Sequence, residues 1–316
     1  MGRAAEDGRR EATAKERYRI VGTLGTGGMA VVLDAIDTES GRRVALKFTR
    51  TPDAGAYARA RLSQEAEAMS RAKDPRICAA YGVADCEGWP CLVMERLIGH
   101  TLQAKIATGP LDAFAVIDIA IEIVSALAAV HRVGLVHHDI KPANLFVTTT
   151  GRIKLLDFGL ASRRGAAPTS GGSGRRTGRP SVLGTTNYIA PERILRQPAD
   201  PRSDLFSLGA VMYEMAVGKP PFAAPTTAEA LMNVLEKDPP AVTHPLSRTG
   251  KALDALIRKL LAKNPEERFQ SAADVRKALL IVRNGRPRAA APVKFRRPVQ
   301  MKGIGHDSVD TSCAYV

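Results

Sequence analysis

Three polar residues between positions 137 and 157 have the types and spacing needed to handle a phosphate group. Asp139 lies five residues before Asn144, and Asp157 begins the segment Asp-Phe-Gly. A carboxylate can orient a hydroxyl nucleophile, while an amide oxygen and a second carboxylate can hold a metal ion that bridges phosphates. Few other reactions require this trio, so the spacing indicates phosphoryl transfer.

These residues lie in two motifs, His-His-Asp-Ile-Lys-Pro-Ala-Asn at 137–144 and Asp-Phe-Gly at 157–159. The pair resembles the catalytic and metal loops of eukaryotic-type protein kinases, HRDxxxxN and DFG. His138 stands where Arg is usual, which makes this a non-RD variant. The resemblance runs from about Tyr18 to Val282 and is closest to bacterial members. It implies an α+β fold with two lobes: a small antiparallel β-rich N-lobe with one main helix, and a larger, mostly helical C-lobe.

A glycine-rich turn, Gly-Thr-Gly-Gly-Met-Ala at 25–30, precedes the two motifs. Residues without a Cβ let backbone amides approach anionic oxygens, and we expect Gly25 and Gly27 to do so. The same letters fit a dinucleotide-binding turn, but a helix must follow that turn. Val31, Val32 and Leu33 follow here and predict a strand. The result is a hairpin, with which protein kinases cover ATP.

Lys47 ends the segment Val-Ala-Leu-Lys and resembles the kinase lysine that contacts the α- and β-phosphates. A lone lysine on a strand is usually just exposed, but a helix carrying Glu65 could hold this one in place. Glu67 is the rival partner. We favour Glu65 because Met69, four residues later, shares its helical face and would point inward, which turns Glu67 to solvent.

The resemblance also implies an adenine pocket. Its walls would be Val32, Ala45 and Phe146, and its hydrogen-bonding edge would be Met94, Glu95 and Leu97. Each apolar residue of this set could equally be plain core.

By the same resemblance, Asp139 would orient the substrate hydroxyl and Asn144 and Asp157 would hold Mg²⁺, with Mn²⁺ as the alternative ion. Lys141 is similar to the lysine that distinguishes serine/threonine kinases from tyrosine kinases. It would contact the γ-phosphate and pair with Thr185.

Residues 184–192, Gly-Thr-Thr-Asn-Tyr-Ile-Ala-Pro-Glu, resemble the end of a kinase activation segment, here 157–192, which forms the shelf for a peptide substrate. Small-molecule kinases do not need this shelf. In the family Glu192 pairs with a buried arginine, for which Arg268 is the candidate. Asp204 would anchor the backbone of the catalytic loop.

Regulation is where the sequence departs from the family pattern, because the arginine that His138 replaces normally binds a phosphate on the activation segment. An imidazole with an ordinary pKa near 6.5 is mostly neutral at pH 7 and does not match a guanidinium fork. We therefore expect basal activity to depend little on phosphorylation of that segment. Its candidate autophosphorylation sites are Thr169, Ser170, Ser173, Thr177 and Ser181.

The 316 residues carry a formal net charge of +14, which raises the question of nucleic-acid binding. Residues 1–17 contribute +1, residues 162–183 contribute +5 and residues 283–316 contribute +5, which leaves +3 for the rest. No basic helix or aromatic-studded sheet accompanies these runs. We therefore expect solvated arms and no specific nucleic-acid partner.

Other global features indicate a folded cytoplasmic protein. The longest apolar region, 113–130, is interrupted by Asp118 and Glu122, so we expect an amphipathic helix and no membrane span. The N-terminus lacks the apolar segment of a signal peptide. The four cysteines, which show no CxxC spacing, are expected to be reduced structural thiols, with a metal site as the weaker alternative.

Along the chain, a strand-rich half precedes a helical half. Strands are predicted at 18–24, 31–36, 43–48, 81–85 and 90–95, and helices at 58–72, 113–133, 204–217, 228–236, 251–262 and 271–282. The predicted organisation is a polar leader at 1–17, a kinase domain at 18–282 divided into an N-lobe at 18–97 and a C-lobe at 98–282, and a basic disordered tail at 283–316.

The whole pattern predicts an ATP- and Mg²⁺-dependent kinase that phosphorylates serine and threonine in protein substrates, and itself through self-association. Two alternatives stay open. A pseudokinase scaffold would keep the fold without transfer, although the phosphate-handling residues are intact. A small-molecule kinase would have no use for Glu192 and its shelf.

Overall fold

The computed structural model describes residues 17–28, 30–50, 55–86, 88–166, 186–242 and 247–285. The candidate phosphorylation sites Thr169, Ser170, Ser173, Thr177 and Ser181, together with Thr185, lie outside these residues. So do the leader, apart from its last residue, and nearly all of the tail.

The first half is a five-stranded antiparallel sheet with strand order β1-β2-β3-β5-β4. Its strands are β1 (Tyr18–Thr26), β2 (Ala30–Asp37), β3 (Arg43–Thr49), β4 (Ala80–Cys86) and β5 (Trp89–Glu95). One helix, α1 (Ala56–Arg71), packs against β4 and β5. This arrangement, followed by a helical half, confirms the predicted α+β class.

Helix α1 buries Ala58, Leu62, Glu65 and Met69, which recur every three or four residues and therefore share one face. A carboxylate on this otherwise apolar face needs a partner, because an unpaired buried charge is costly. The buried Glu65 carboxylate therefore requires a cationic partner on the sheet against which α1 packs.

The second half is mostly helical. It consists of β6 (Gly99–Thr101), α2 (Leu102–Ile106), α3 (Ala113–Arg132), β7 (Leu135–Val136), β8 (Leu145–Thr148), β9 (Ile153–Leu155), β10 (Ser162–Arg163), α4 (Pro191–Ile194), α5 (Pro201–Val217), α6 (Thr227–Glu236), α7 (Arg248–Leu260) and α8 (Ala272–Asn284). Strands β6, β8 and β9 form one small sheet, and β7 pairs with β10. Helices α3 and α5 pack together in the main core.

The observed elements agree with the predicted ones to within three residues at each end. Two helices begin three residues before their predicted starts: α5 begins at Pro201 instead of Asp204, and α7 begins at Arg248 instead of Lys251. Asp200 caps α5 through the backbone N–H of Arg202, and proline suits the first turn because its missing N–H has no partner there anyway.

Helix α3 is long and apolar enough to cross a membrane by length and composition, yet 67% of its most apolar window is buried inside the fold. Asp112 caps its start by accepting hydrogen bonds from the N–H groups of Phe114 and Ala115. Its burial is that of a central core helix.

Burial in the core also raises the pKa of the Cys78 thiol to about 12, so that thiol is protonated near neutral pH.

Candidate active site

A cavity of about 560 Å³ lies between the hairpin of β1 and β2 and the loop that precedes β8. The candidate site residues that line it are Gly25, Gly27, Val32, Lys47, Glu65, Met94, Lys141, Asn144 and Asp157. These residues come from strands, a helix and two loops, and the first and last of them are more than one hundred positions apart in the chain. The fold therefore brings most of the predicted set to one place.

The hairpin above the cavity has the strand-turn-strand form expected from the sequence. Gly25 pairs with Val32 across β1 and β2, and the N–H of Gly27 donates to the Ala30 carbonyl at 2.9 Å. Strand β2 follows the turn, so the dinucleotide-binding alternative, which needs a helix there, does not apply. Gly27 and Gly28 both line the cavity and present their backbone to it.

Lys47 reaches from β3 to two carboxylates. Its Nζ lies 2.7 Å from Glu65 Oε1 and 3.2 Å from Asp157 Oδ1. Glu67, by contrast, is exposed and lies 3.9 Å from Arg71 on the outer face of α1. The structure thus places Glu65, and not Glu67, beside the lysine.

The electrostatics of this trio follow from one ammonium facing two carboxylates. Burial opposes the charge on Lys47, but Asp157 and Glu65 outweigh it and raise the lysine pKa. Burial likewise opposes ionisation of Asp157, yet Lys47 holds the pKa of that carboxyl at about 2. Both groups are therefore charged at neutral pH. The Lys47 ammonium can then attract phosphates, and the Asp157 carboxylate can bind a metal ion.

A side chain at Gly159 would crowd the carboxylate of Asp157. A Cβ at this position would lie 3.1 Å from Asp157 Oδ1 and 3.6 Å from Glu65 Oε2. The Gly159 N–H also donates to Asp157 Oδ1 at 3.1 Å. The close approach of the backbone therefore helps to fix the carboxylate, whose own residue has a left-handed φ of +57°.

The catalytic-loop candidates form a short chain of contacts. Lys141 Nζ lies 2.9 Å from Asp139 Oδ2, and the Asn144 Nδ2 group donates to the Asp139 carbonyl at 2.9 Å and to Oδ2 at 2.8 Å. Asp139 itself is not among the lining residues, but both of its partners are. Its carboxylate is thus held in one orientation beside the cavity.

Asp204 at the start of α5 ties down the same loop. Its Oδ2 accepts from the His137 N–H at 2.9 Å and its Oδ1 from the His138 N–H at 2.8 Å. The side chain is fully buried, and His131 Nε2 lies 2.8 Å from Oδ2. Burial alone would raise the pKa of this carboxyl, but the hydrogen bond to His131 and the neighbouring histidines hold it at about 2.

Glu192 and Arg268 form a buried ion pair below the site. The two guanidinium nitrogens donate to Oε1 at 2.7 Å and Oε2 at 2.8 Å, and Ser203 Oγ also donates to Oε1. The remaining Arg268 donors go to backbone carbonyls, among them that of Ala262 at 2.7 Å. Every charge of this pair is therefore compensated, which fixes α4 against the loop before α8.

The adenine-side residues divide into two groups. Val32 and Met94 line the cavity, whereas Ala45, Leu97 and Phe146 are buried in the main core and are not among the lining residues. The Glu95 carboxylate is already engaged by other groups: it accepts hydrogen bonds from Lys154 Nζ at 2.6 Å and from the Ala79 N–H at 3.2 Å.

The cavity also includes residues that the sequence did not single out. Gln103, Tyr188 and Glu214 line it, and the Tyr188 hydroxyl donates to Glu214 Oε2 at 2.6 Å. Burial raises the pKa of this glutamate. No sequence signal joins these positions, because they come from α2, the turn before α4 and α5, and only the tertiary fold brings them together.

The donors present suit a divalent metal bound largely by phosphates. Both hydrogens of the Asn144 amide go to Asp139, which leaves the amide oxygen available, and Asp157 supplies an ionised carboxylate. Within the described ranges no three His, Cys, Asp or Glu residues form a metal cluster. Mg²⁺ typically uses one or two protein oxygens together with phosphate and water, so this donor set fits it.

Comparison with known proteins agrees with this geometry. The family described as the protein kinase domain matches residues 18–279. The serine/threonine-protein kinase PknB of Mycobacterium tuberculosis (strain H37Rv) is 36% identical over 288 residues, which cover 88% of this chain and 45% of that protein. PknB of Mycobacterium leprae is 36% identical over 286 residues, covering 88% of this chain and 45% of that protein.

A probable serine/threonine-protein kinase of Corynebacterium efficiens is 35% identical over 286 residues, covering 87% of this chain and 43% of that protein. The chain thus spans somewhat less than half the length of these curated relatives.

Proposed function

The chain belongs to the protein kinase domain family, and from this premise we propose that it transfers the γ-phosphate of ATP to serine and threonine hydroxyls of proteins. One observation carries the proposal. Lys47, Asn144 and Asp157 line a single cavity, and Asn144 and Lys141 both contact the Asp139 carboxylate beside it.

The proposed reaction needs positioning and electrostatic stabilisation more than covalent chemistry. The substrate hydroxyl oxygen forms a bond to the γ-phosphorus of ATP while the bond to the β-phosphate oxygen breaks. Asp139 would orient the hydroxyl and take its proton, and Lys141 would contact the transferred phosphate. Lys47, held by Glu65 at 2.7 Å, would contact the α- and β-phosphates.

Protein kinases use ATP with a divalent metal. In this chain Asn144 and Asp157 would hold Mg²⁺, with Mn²⁺ as the alternative. When bound, the ion neutralises charge on the phosphates. The residues of the site would then orient ATP and the hydroxyl, contact the phosphates through Lys47 and Lys141, and accept the hydroxyl proton at Asp139.

The adenine ring would lie between Val32 on β2 and Met94 on β5, both of which line the cavity. Ala45, Leu97 and Phe146 would support this pocket from within the core. In this proposal Glu95 contributes its backbone, since its side chain is occupied by Lys154.

We propose proteins as the substrate class because buried polar contacts support the segment that would form a peptide shelf. Glu192, Ser203 and Arg268 form a fully buried polar network under the end of the activation segment. Thr185 and the five candidate phosphorylation sites belong to this segment but lie outside the described residues. Autophosphorylation through self-association is part of the proposal.

The proposed domain runs from 18 to 282, with the leader and basic tail on either side. A cytoplasmic location stays a prediction; of the described helices, α3 has the length and composition of a membrane span, and 67% of its most apolar window is buried. A scaffold without activity is not favoured, since the groups for phosphate and metal line the cavity and the proton acceptor Asp139 contacts two of the lining residues.

The test is incubation of the purified chain with γ-labelled ATP and Mg²⁺, alone and with a generic protein substrate. We expect label on serine or threonine, and a loss of about 10²-fold to 10⁴-fold in Asp139→Asn, which keeps the shape but not the basicity. Asp118→Asn, a change at an exposed surface pair with Arg283, is the matched control. Absence of label in the wild type, or equal label in Asp139→Asn, contradicts the proposal.

A further inference from the structure

Two consecutive histidines of the catalytic loop contact the chain on opposite sides of Asp157. His137 Nε2 lies 3.1 Å from the Leu156 carbonyl, and His138 Nε2 lies 2.8 Å from Ser162 Oγ. Leu156 directly precedes Asp157, and Ser162 follows it by five residues. The segment that carries the candidate metal ligand is therefore attached to the catalytic loop at both of its ends.

The first attachment fixes the tautomer of the His137 ring as well as its position. The Asp139 N–H donates to His137 Nδ1 at 3.3 Å, so this nitrogen is an acceptor and Nε2 carries the hydrogen. The His137 ring also packs edge-on against Phe158, with ring centroids 4.7 Å apart. His137 thus holds the start of the segment by a hydrogen bond and an aromatic contact.

The second attachment involves a histidine that is itself tightly held. The His138 backbone is left-handed, with φ of +67°, a conformation that non-glycine residues adopt only where their surroundings enforce it. Its N–H donates to the buried carboxylate of Asp204. Burial lowers the pKa of the His138 ring to about 4, so the ring is neutral and has one N–H to donate.

The position of that hydrogen follows from the partners of the ring. Nδ1 is buried, and within the described part of the chain it has no hydrogen-bond partner. Orphaned buried N–H donors are rarer in folded proteins than under-satisfied acceptors. The hydrogen therefore belongs on Nε2, which donates it to Ser162 Oγ.

Ser162 is presented to His138 by the backbone. It pairs with Val136 in the two-residue ladder of β7 and β10, and the next residues continue this contact through the Arg164 N–H, which donates to the Gly134 carbonyl at 2.9 Å. The hydroxyl thus adds a side-chain link to a short ladder that by itself has few hydrogen bonds.

Resting on the function proposed above, we infer that the His138–Ser162 hydrogen bond holds the start of the activation segment against the catalytic loop by means of two unmodified side chains. Ser162 is then a positioning residue for phosphoryl transfer. It acts through His138 and the five-residue connection to keep the Asp157 carboxylate near Lys47, without touching ATP or the metal itself. The link gives this enzyme a phosphate-independent substitute for the ion pair that the usual arginine forms.

Ser162→Thr and Ser162→Val provide a matched test. The two side chains have the same shape and the same preference for a strand, but only threonine keeps the hydroxyl. With the full chain treated with phosphatase, we expect the kcat of Ser162→Thr within about twofold of the wild type and the kcat of Ser162→Val lower by about threefold to tenfold. In a His138→Ala background the two variants should have equal kcat.

A readout other than activity keeps the inference testable if Ser162→Val is poorly folded. In ¹⁵N-labelled wild-type protein, the His138 ring should show the Nε2–H tautomer with a slowly exchanging hydrogen, and Ser162→Thr should preserve this signal. Equal kcat for Ser162→Thr and Ser162→Val, the same difference in the His138→Ala background, or a His138 ring hydrogen that exchanges rapidly in the wild type would overturn the inference. An inactive wild type would instead contradict the proposed function.

Discussion

Lys47 on β3 and Glu65 on α1 form a buried ion pair, with Nζ and Oε1 2.7 Å apart, while Glu67 turns its carboxylate to solvent. Side chains two residues apart on a helix point in different directions, so only one of the two glutamates can reach the sheet. This pair connects the position of α1 to the position of the lysine in the cavity.

The first prediction compares these two glutamates. Glu65→Gln keeps the shape but removes the charge, so that, among the described residues, Asp157 remains as the anionic partner of Lys47. We expect kcat/KM for ATP to fall at least about tenfold, whereas Glu67→Gln, exposed on α1, should stay within about twofold. Steady-state kinetics at varied ATP measure both, and equal losses in the two variants would contradict the assignment of Glu65.

The second prediction concerns the stability of the helical half. Arg268→Ala leaves Glu192 buried and uncompensated, and we expect the free energy of unfolding to fall by about 3 to 5 kcal/mol. Arg258→Ala is the matched control, because Arg258 is 43% exposed and pairs with Asp254 on the same helix. Its loss should be at most about 0.5 kcal/mol. Denaturant unfolding followed by circular dichroism measures both, and similar losses would show that the buried pair is not stabilising.

The third prediction is a pH dependence of stability that comes from Asp204. Its pKa is held at about 2 in the folded chain, below the value near 3.9 of an unfolded aspartate. A lowered carboxyl pKa contributes stability above the unfolded value, and this contribution is lost as the pH falls through 4 towards 2. This difference of about two pKa units corresponds to a contribution of about 3 kcal/mol at neutral pH.

Asp204→Asn should therefore differ most from the wild type near pH 7 and least near pH 3. Denaturant titrations at several pH values measure the difference in unfolding free energy. Asp118→Asn, at an exposed site, serves as the control and should show little change with pH. A difference between Asp204→Asn and the wild type that stays constant from pH 7 to pH 3 would contradict this account.

The parts of the fold and site that the sequence predicts are those with a local signal. The apolar period of α1 is enough to place Glu65 inward, and the β-branched residues after Gly28 are enough to predict a strand. The two motifs then single out Asp139, Asn144 and Asp157 as candidate site residues, because these residues lie close together along the chain.

Contacts between distant positions have no such signal. His138 and Ser162 are 24 residues apart, and Tyr188 and Glu214 are 26 apart, so neither pair can be read from a local pattern. The sequence also leaves the His138 pKa at its ordinary value near 6.5, whereas burial in the folded chain lowers it to about 4. The distant contacts and the lowered His138 pKa have one cause: tertiary packing decides which polar groups meet and which are removed from water.

The last prediction concerns regulation by the activation segment. At pH 7 a ring with a pKa of about 4 is neutral, so His138 cannot form the ion pair with a phosphate that an arginine forms. We therefore expect phosphatase treatment to lower the initial rate of the wild type by less than tenfold. In His138→Arg, the guanidinium can bind a phosphate with two hydrogen bonds, and its rate should depend more strongly on phosphorylation.

The measurement is the initial rate of label transfer to a protein substrate before and after phosphatase treatment, with mass spectrometry to verify that phosphate has been removed. Using the same preparation for both samples excludes differences in folding. A wild-type loss of tenfold or more, equivalent to about 1.4 kcal/mol in the barrier, would mean that a phosphate on the activation segment is bound by other groups. Equal sensitivity of the wild type and His138→Arg would lead to the same conclusion, because residue 138 would then have no part in the response.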